Sequence, residues 1–306
     1  MTQQSWLPPE SGQRPAPTPR KPVADLFEET FRLYRRAFVV LVAISAVVQV
    51  PLVLATVPMW SFQSRMFELT GDDPSAVAAQ LEEVWSFMGL FIVLAVVGAI
   101  LGTFGAAATV YVTARARAGE RPTFGDVLSA LGRLAGRLLG YLGVWLGGGF
   151  LVAIGVAVVL FGVAAAATIL APRSDLDVLW TVLALLVLFV VGIAVIIRLA
   201  LALPVLVLED MGPVAALVRS WNLVRGSVLR TLGIFLVAWI AISVLTSIAS
   251  PLYLPGMMEG LVTGSTTTYL VLGLVSAAVN TLVTPILPIL LTLLYFDYAA
   301  RQPASA

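Results

Sequence analysis

Apolar stretches long enough to cross the hydrocarbon of a bilayer, which takes roughly 20 residues, recur six times along these 306 residues. In hydrocarbon every backbone N–H and C=O must be satisfied internally, so a spanning segment is an α-helix or a strand of a closed barrel. These runs are too long and too uniformly apolar to alternate as strands, so the expected fold is all-α. Spans are expected at about 38–60, 85–112, 138–170, 178–208, 232–254 and 269–296, with Pro51 and Pro58 interrupting the first. Span 3 is too long for an upright crossing, which predicts a tilt or a break near Gly147-Gly148-Gly149. The acidic stretch Ser61 to Glu83 forms the first outer loop. Composition agrees: 59% of residues are hydrophobic and 11% charged, against about a quarter charged in soluble domains.

The joints between spans carry the charge. From Pro204 to Gly233 an apolar run stops at Glu209-Asp210, Pro213 opens an amphipathic segment with Arg219, Arg225 and Arg230, and a new apolar run follows. Two other segments share this grammar. In the segment from Pro22, Val23, Leu26, Phe27 and Tyr34 share one helical face, while Asp25, Glu28, Glu29, Arg32, Arg35 and Arg36 share the other. In the segment from Pro122, Phe124, Val127, Leu128, Leu131 and Leu134 oppose Asp126, Ser129, Arg133 and Arg137. Each reads as an amphipathic helix lying in the membrane interface. Pro122, Pro213 and Pro303 are 91 and 90 residues apart, and Pro22 precedes Pro122 by 100. The chain is therefore read as three repeats, about 22–121, 122–212 and 213–301, each an interfacial helix followed by a hairpin of two spans, related by a pseudo-threefold axis. Residues 1–21 are Pro-rich and polar and are expected to be a disordered cytoplasmic tail, with 302–306 a second tail. Placing both termini in the cytoplasm puts sixteen of eighteen basic residues inside and leaves only Arg65 and Arg173 outside.

The chain has no cysteine and no histidine. That removes thiolate nucleophiles, Cys/His zinc sites and the commonest general base. No Walker loop, nucleophilic triad or metal-ligand cluster is present in the sequence, so no catalytic residue, metal or cofactor is assigned. The formal net charge of +1 argues against bulk attraction to nucleic acid. The expected partners are membrane lipids, with a protein docked at the cytoplasmic face as the alternative. Seventeen arginines against one lysine suit a GC-rich bacterial genome.

Arg198 lies inside span 4, where a charge costs about 2.5–3.5 kcal/mol on insertion scales. It either snorkels to the near interface or faces Glu209, Asp210, Asp297 or a lipid phosphate. Glu209 and Asp210 precede the third amphipathic segment, where carboxylates favour the positive end of a helix dipole. Arg225 projects nearer the apolar face of that segment than Arg219 or Arg230, so a structural salt bridge from Arg225 to Glu209 is expected. Asn280 in span 6 and Gln49 in span 1 are expected to make interhelical hydrogen bonds. Pro51, Pro204, Pro285 and Pro288 free backbone carbonyls within spans. Trp60, Trp85, Trp180 and Trp221 fall at span ends, as an aromatic belt requires.

Two blocks carry a family resemblance. One holds Glu209, Ala216-Leu217, Arg219-Ser220, Leu223 and Gly226; the other holds Leu294-Tyr295, Asp297 and Arg301. Together they resemble the membrane domain fused to some glycerophosphoryl diester phosphodiesterases and found in stand-alone bacterial integral membrane proteins. The resemblance implies a membrane module without the hydrolase chemistry, which in the fused proteins belongs to a separate soluble barrel. The expectation is a non-enzymatic multi-pass protein of the bacterial cell membrane that associates with lipids or scaffolds a partner. A transporter or channel for a small or amphipathic solute is the first alternative, and a membrane-embedded enzyme the second.

Overall fold

The computed structural model describes residues 21–68, 74–170, 175–252, 254, 255, 258 and 266–301. The two tails and the side chains of Trp60, Arg65, Arg173 and Trp180 lie outside the described residues. Among those described, the regular structure is entirely helical. The principal helices are α1 (Val23–Arg36), α2 (Phe38–Glu68), α3 (Pro74–Arg117), α4 (Phe124–Leu170), α5 (Asp175–Leu199), α6 (Ala202–Leu208), α7 (Pro213–Val224), α8 (Val228–Ala249), α9 (Thr266–Val283) and α10 (Ile286–Ala299). Five segments are long and apolar enough to cross a membrane: Val84–Arg117, Phe124–Val158, Leu185–Leu208, Val228–Ala249 and Leu270–Ala299. A sixth is counted if α1 and the start of α2, bent by 85° at Ala37, form one broken span.

The core sits at the end where the arginines gather, and α10 runs through it. Ile286, Ile289, Leu290, Leu293, Leu294, Tyr295 and Tyr298 are all buried, so α10 is enclosed on most sides. A helix apolar around its whole circumference is stable only when enclosed in this way. Against α10 pack α1, α3, α6 and α7. The amphipathic faces read from the sequence pack only in part: on α1 Leu26 is buried and Phe27 and Tyr34 are half-buried against the core, but Val23 is exposed and Thr30 and Leu33 are buried instead, while of the second face Val127 is buried and Phe124 and Leu128 are exposed. Helix α7 buries Ala216, Ser220, Leu223 and Val224. Away from this end the helices expose large apolar side chains, among them Phe91 and Val93 on α3, Phe150 and Leu151 on α4, Phe189 on α5 and Trp239 on α8. Water would disfavour so much bare apolar surface, whereas lipid tails are an equivalent solvent for it. Close approach in the α2–α3 hairpin depends on small residues. A Cβ added at Gly105 would lie 2.7 Å from Val48 Cγ2.

Several joints differ from the sequence reading. The acidic stretch expected as a loop is mostly helix: α2 continues to Glu68 and α3 starts at Pro74. Proline suits the first helical position, and the Ala-, Gln- and Glu-rich residues after it favour helix. The second amphipathic segment is not a separate helix but the first turns of α4, which runs 47 residues without a break, through Gly147-Gly148-Gly149 included. Glycine in a helix costs about 1 kcal/mol relative to alanine. Opening a backbone bond in hydrocarbon costs several, so the helix persists. Helix α2 also passes unbroken through Pro51 and Pro58, although each removes one backbone bond from it.

The α4 start is fixed by a reciprocal capping box that the sequence reading passed over. Thr123 N donates to Asp126 Oδ2 at 2.8 Å, and Asp126 N donates back to Thr123 Oγ1 at 3.3 Å. The preceding turn closes α3 with the two bonds of a Schellman motif, Glu120 N to Arg115 O and Gly119 N to Ala116 O, and with Gly119 at φ 91°.

At both breaks in the described spans a side chain from another helix bonds backbone groups beside the opening. Pro204 lacks an N–H and its ring crowds the carbonyl four residues back, and the chain breaks at Ala200-Leu201, between α5 and α6. There Ser220 of α7 donates to Arg198 O at 2.8 Å and accepts from Leu201 N at 3.2 Å. The second break, at Thr284-Pro285 between α9 and α10, is met by Tyr34 donating to Leu282 O at 2.8 Å. Gln49 donates to Thr284 Oγ1 at 3.0 Å, the interhelical bond its sequence context predicts. Asn280 departs from expectation. Its side chain bonds Ser276 one turn back in the same helix, with Nδ2 donating to the Ser276 carbonyl at 2.9 Å.

Candidate functional site

The side chains singled out in the sequence converge on α7, which lies across the α5–α6 break. Three consecutive residues of α7 have three different tasks, because successive helical positions point about 100° apart. Ser220, fully buried, points inward and stitches the break. Arg219, on one flank, donates from Nε to both carboxylate oxygens of Glu209, at 3.4 and 3.3 Å. Trp221, on the other flank, presents its ring to Arg198, whose guanidinium carbon lies 4.4 Å from the ring centroid.

Glu209 is held a second time by α10, since Tyr295 donates its hydroxyl to Oε1 at 2.9 Å. The expected Glu209–Arg225 pair does not form. Helix α7 ends at Val224, and Arg225 leaves it with extended backbone (φ −56°, ψ 124°), followed by Gly226 at φ 82°. A helical-wheel projection therefore has no meaning at residue 225, and its side chain is exposed. Asp210, itself at φ 55°, pairs with Arg137 of α4. Neither Glu209 nor Asp210 caps α7. The cap is Gly212, with no side-chain cap bond, and Pro213 fills the first turn.

We expect the Glu209→Arg/Arg219→Glu exchange to recover thermal stability lost by either single reversal, measured by tryptophan fluorescence in detergent. The corresponding 209/225 exchange is expected to recover nothing; recovery there would refute the assignment.

Asp297 forms the second ionic centre. Its side chain is 5% exposed and is clamped between Arg230 Nη1 of α8 at 2.7 Å and Arg301 Nη2 at 2.5 Å. Arg230 also donates from Nη2 to Lys21 O at 2.6 Å, tying the start of α1 to the same point. Tyr298 and Thr231 complete the contact, with their hydroxyls 2.9 Å apart.

Arg198 stands apart from both centres. None of Glu209, Asp210 and Asp297 meets it, and its Nε is buried with no hydrogen-bond partner among the described residues. Among the described residues the contact its guanidinium makes is with the Trp221 face, an interaction of about 0.5–2 kcal/mol. Arg198, Glu209 and Asn280 consequently occupy three separate contacts rather than one cavity wall. Of the tryptophans assigned to a belt, Trp85 is largely exposed, while Trp221 is the platform for Arg198.

The two sequence blocks thus meet in space. Ala216, Leu223 and Leu294 are buried in one core cluster, Arg219 and Tyr295 share Glu209, and Arg301 holds Asp297. Neither a curated protein nor a solved structure matches the chain. One family does, over residues 37–297, a stretch that takes in α2 to α9 and most of α10 with Glu209, Arg219, Arg230, Tyr295 and Asp297 but not Arg301, and the chain belongs to that family, described as Domain of unknown function (DUF8558).

Proposed function

We propose that this protein is a non-enzymatic multi-pass module of a bacterial cell membrane that binds anionic lipid at the inner leaflet. In this reading six spans form three hairpins with both termini in the cytoplasm, and amphipathic segments lead each hairpin around a pseudo-threefold axis. Support for the repeat comes from the element order: α1, the first turns of α4, and α7 each precede a long apolar helix and a returning one. The module is similar to the membrane domain of glycerophosphoryl diester phosphodiesterases through the α7 and α10 blocks.

The observation that carries the lipid reading is the uncompensated charge of Arg198. The carboxylates nearest the core, Glu209 and Asp297, are each engaged by arginine within the fold, whereas Arg198 has an aromatic platform and no described carboxylate partner. A cation kept at that depth without an internal counter-ion is matched by an anion from outside the protein, and the phosphate of a lipid supplies one.

Arg198→Leu removes the charge without stranding a partner, so the protein is expected to fold normally. Retention of anionic phospholipid, read by native mass spectrometry, is expected to fall about fivefold, the equivalent of roughly 1 kcal/mol per arginine at an anionic membrane surface. Unchanged retention in a folded variant would remove the lipid role of Arg198.

A further inference from the structure

We infer that the wedge between α1, α2 and the α3–α4 turn is a binding site for one anionic phospholipid, its phosphate on Arg35 and Arg121 and an acyl chain between α2, α3 and α4. The inference rests on the lipid reading above but concerns residues remote from Arg198 in sequence, on other elements.

Two cavities make up the site. The first, of 240 Å³, is the polar mouth, walled by Arg35, Arg36, Phe38, Val39, Arg121 and Pro122 among others. The 85° bend at Ala37 turns the end of α1 into one wall, and the Schellman turn after α3 brings Arg121 and Pro122 to the other. Arg36 braces the cleft by donating to Gly119 O across it at 2.8 Å. Among the described residues the one carboxylate that lines this mouth is that of Glu120, and Arg115 already holds it at 2.6 Å. Three guanidinium groups therefore face a space whose single internal anion is spoken for.

The second cavity, of 110 Å³, is lined only by apolar residues, including Ile44, Val47, Val48, Phe104, Leu128 and Leu131. It continues the same three walls. Along α2 the lining passes from Val40 to Ile44 and Val48, along α3 from Ala116 back to Ala108 and Phe104, and in α4 onward from Pro122 to Phe124 and Leu128. On α2 and α3 these steps run about one to three helical turns away from Arg35, Arg36 and Glu120, so there the cationic mouth gives way to an apolar groove, which Phe124, Val127, Leu128 and Leu131 of α4 close on the third side. A soluble anion would use the mouth and leave the groove empty. An amphiphile with a phosphate at one end and hydrocarbon at the other matches both. Arginine suits the phosphate because its planar fork can donate two parallel hydrogen bonds.

The test is native mass spectrometry of the full chain in detergent, titrated separately with dioleoyl-phosphatidylglycerol and dioleoyl-phosphatidylethanolamine. The native protein is expected to hold one phosphatidylglycerol in preference to phosphatidylethanolamine. Arg35→Gln/Arg121→Gln changes two exposed side chains and is expected to weaken phosphatidylglycerol about 25-fold, at roughly fivefold per arginine, while leaving phosphatidylethanolamine unaltered. Leu128→Trp, which fills the groove from an exposed position, is expected to weaken both lipids. Phosphatidylglycerol affinity within twofold of native in the double arginine variant would overturn the site. So would displacement of the lipid by glycerol 3-phosphate at equal concentration. If the arginine pair is silent while Arg198→Leu releases lipid, this site falls and the lipid reading stands; if the native protein holds neither lipid, both fall.

Discussion

Asp297→Ala is expected to destabilise the protein by about 3–5 kcal/mol, the largest effect of any single substitution considered for this fold. The carboxylate is almost fully enclosed and its oxygens are divided between Arg230 and Arg301, both themselves mostly covered. Removing it leaves two guanidinium groups in a site built to hold one anion. Their repulsion in a medium of low polarity is added to their lost hydrogen bonds. The same physics gives the experiment a sign check. Replacing all three charges by apolar residues of similar volume, Asp297→Leu with Arg230→Met and Arg301→Met, strands nothing and is expected to be nearly neutral or stabilising. Thermal unfolding in detergent, followed by circular dichroism, distinguishes the two. A loss below about 1 kcal/mol for Asp297→Ala would mean that water or lipid headgroups already solvate both arginines.

The second large effect is expected at a residue with no charge. Ser220→Ala deletes a hydroxyl that both donates to Arg198 O and accepts from Leu201 N. Leaving a buried polar group unsatisfied costs about 1–3 kcal/mol, so the pair predicts a loss of about 2–4 kcal/mol. The penalty is high because the α5–α6 break lies within a segment apolar enough to span the membrane, where water is not at hand to replace the serine. Ser129→Ala is the control. Ser129 donates to the carbonyl of Asp126 in its own helix on an exposed face, and its loss is expected to stay within about 0.5 kcal/mol. Equal effects for the two serines, by the same unfolding measurement, would show that the break does not depend on its stitch.

These two residues show how differently parts of the site can be read. Asp297 stands out in the sequence as a carboxylate closing an apolar run, and its charge marks it as in need of a partner. Ser220 gives no such sign. Its importance follows from a backbone break some twenty residues earlier in the chain, and that break can be located only as far as Pro204 makes it expected. Pro51 and Pro58 lie in an equally apolar run, and there the helix continues. The presence of a proline does not decide whether a span breaks. At the two breaks, Ser220 and Tyr34 arrive from elsewhere in the chain and bond backbone carbonyls beside the opening.

The amphipathic segments were legible for a general reason. The face that packs is set largely by 3.6-residue periodicity, a local property: of the stripe read on α1, Leu26 is buried and Phe27 and Tyr34 are half-buried, while Val23 at the helix start stays exposed. Arg225 marks the limit of that argument, since periodicity holds only to the end of the helix and Gly226 ends it one residue too soon. Arg219 could have been preferred as the partner of Glu209 from the glycine alone, had the left-handed turn it permits been weighed.

From its sequence alone, this protein had to be helical, with segments long and apolar enough to cross a membrane. Runs of twenty and more apolar residues leave the peptide groups no partner but each other. Most of the arginines fall between the apolar runs and not within them, as the exclusion of charge from an apolar interior requires. Tertiary structure alone decided which carboxylate meets which arginine, where the spans break and that Arg198 rests on an indole. Those outcomes depend on pairs such as Tyr34 and Leu282, far apart along the chain, whose meeting is set by how whole helices pack and not by any local preference.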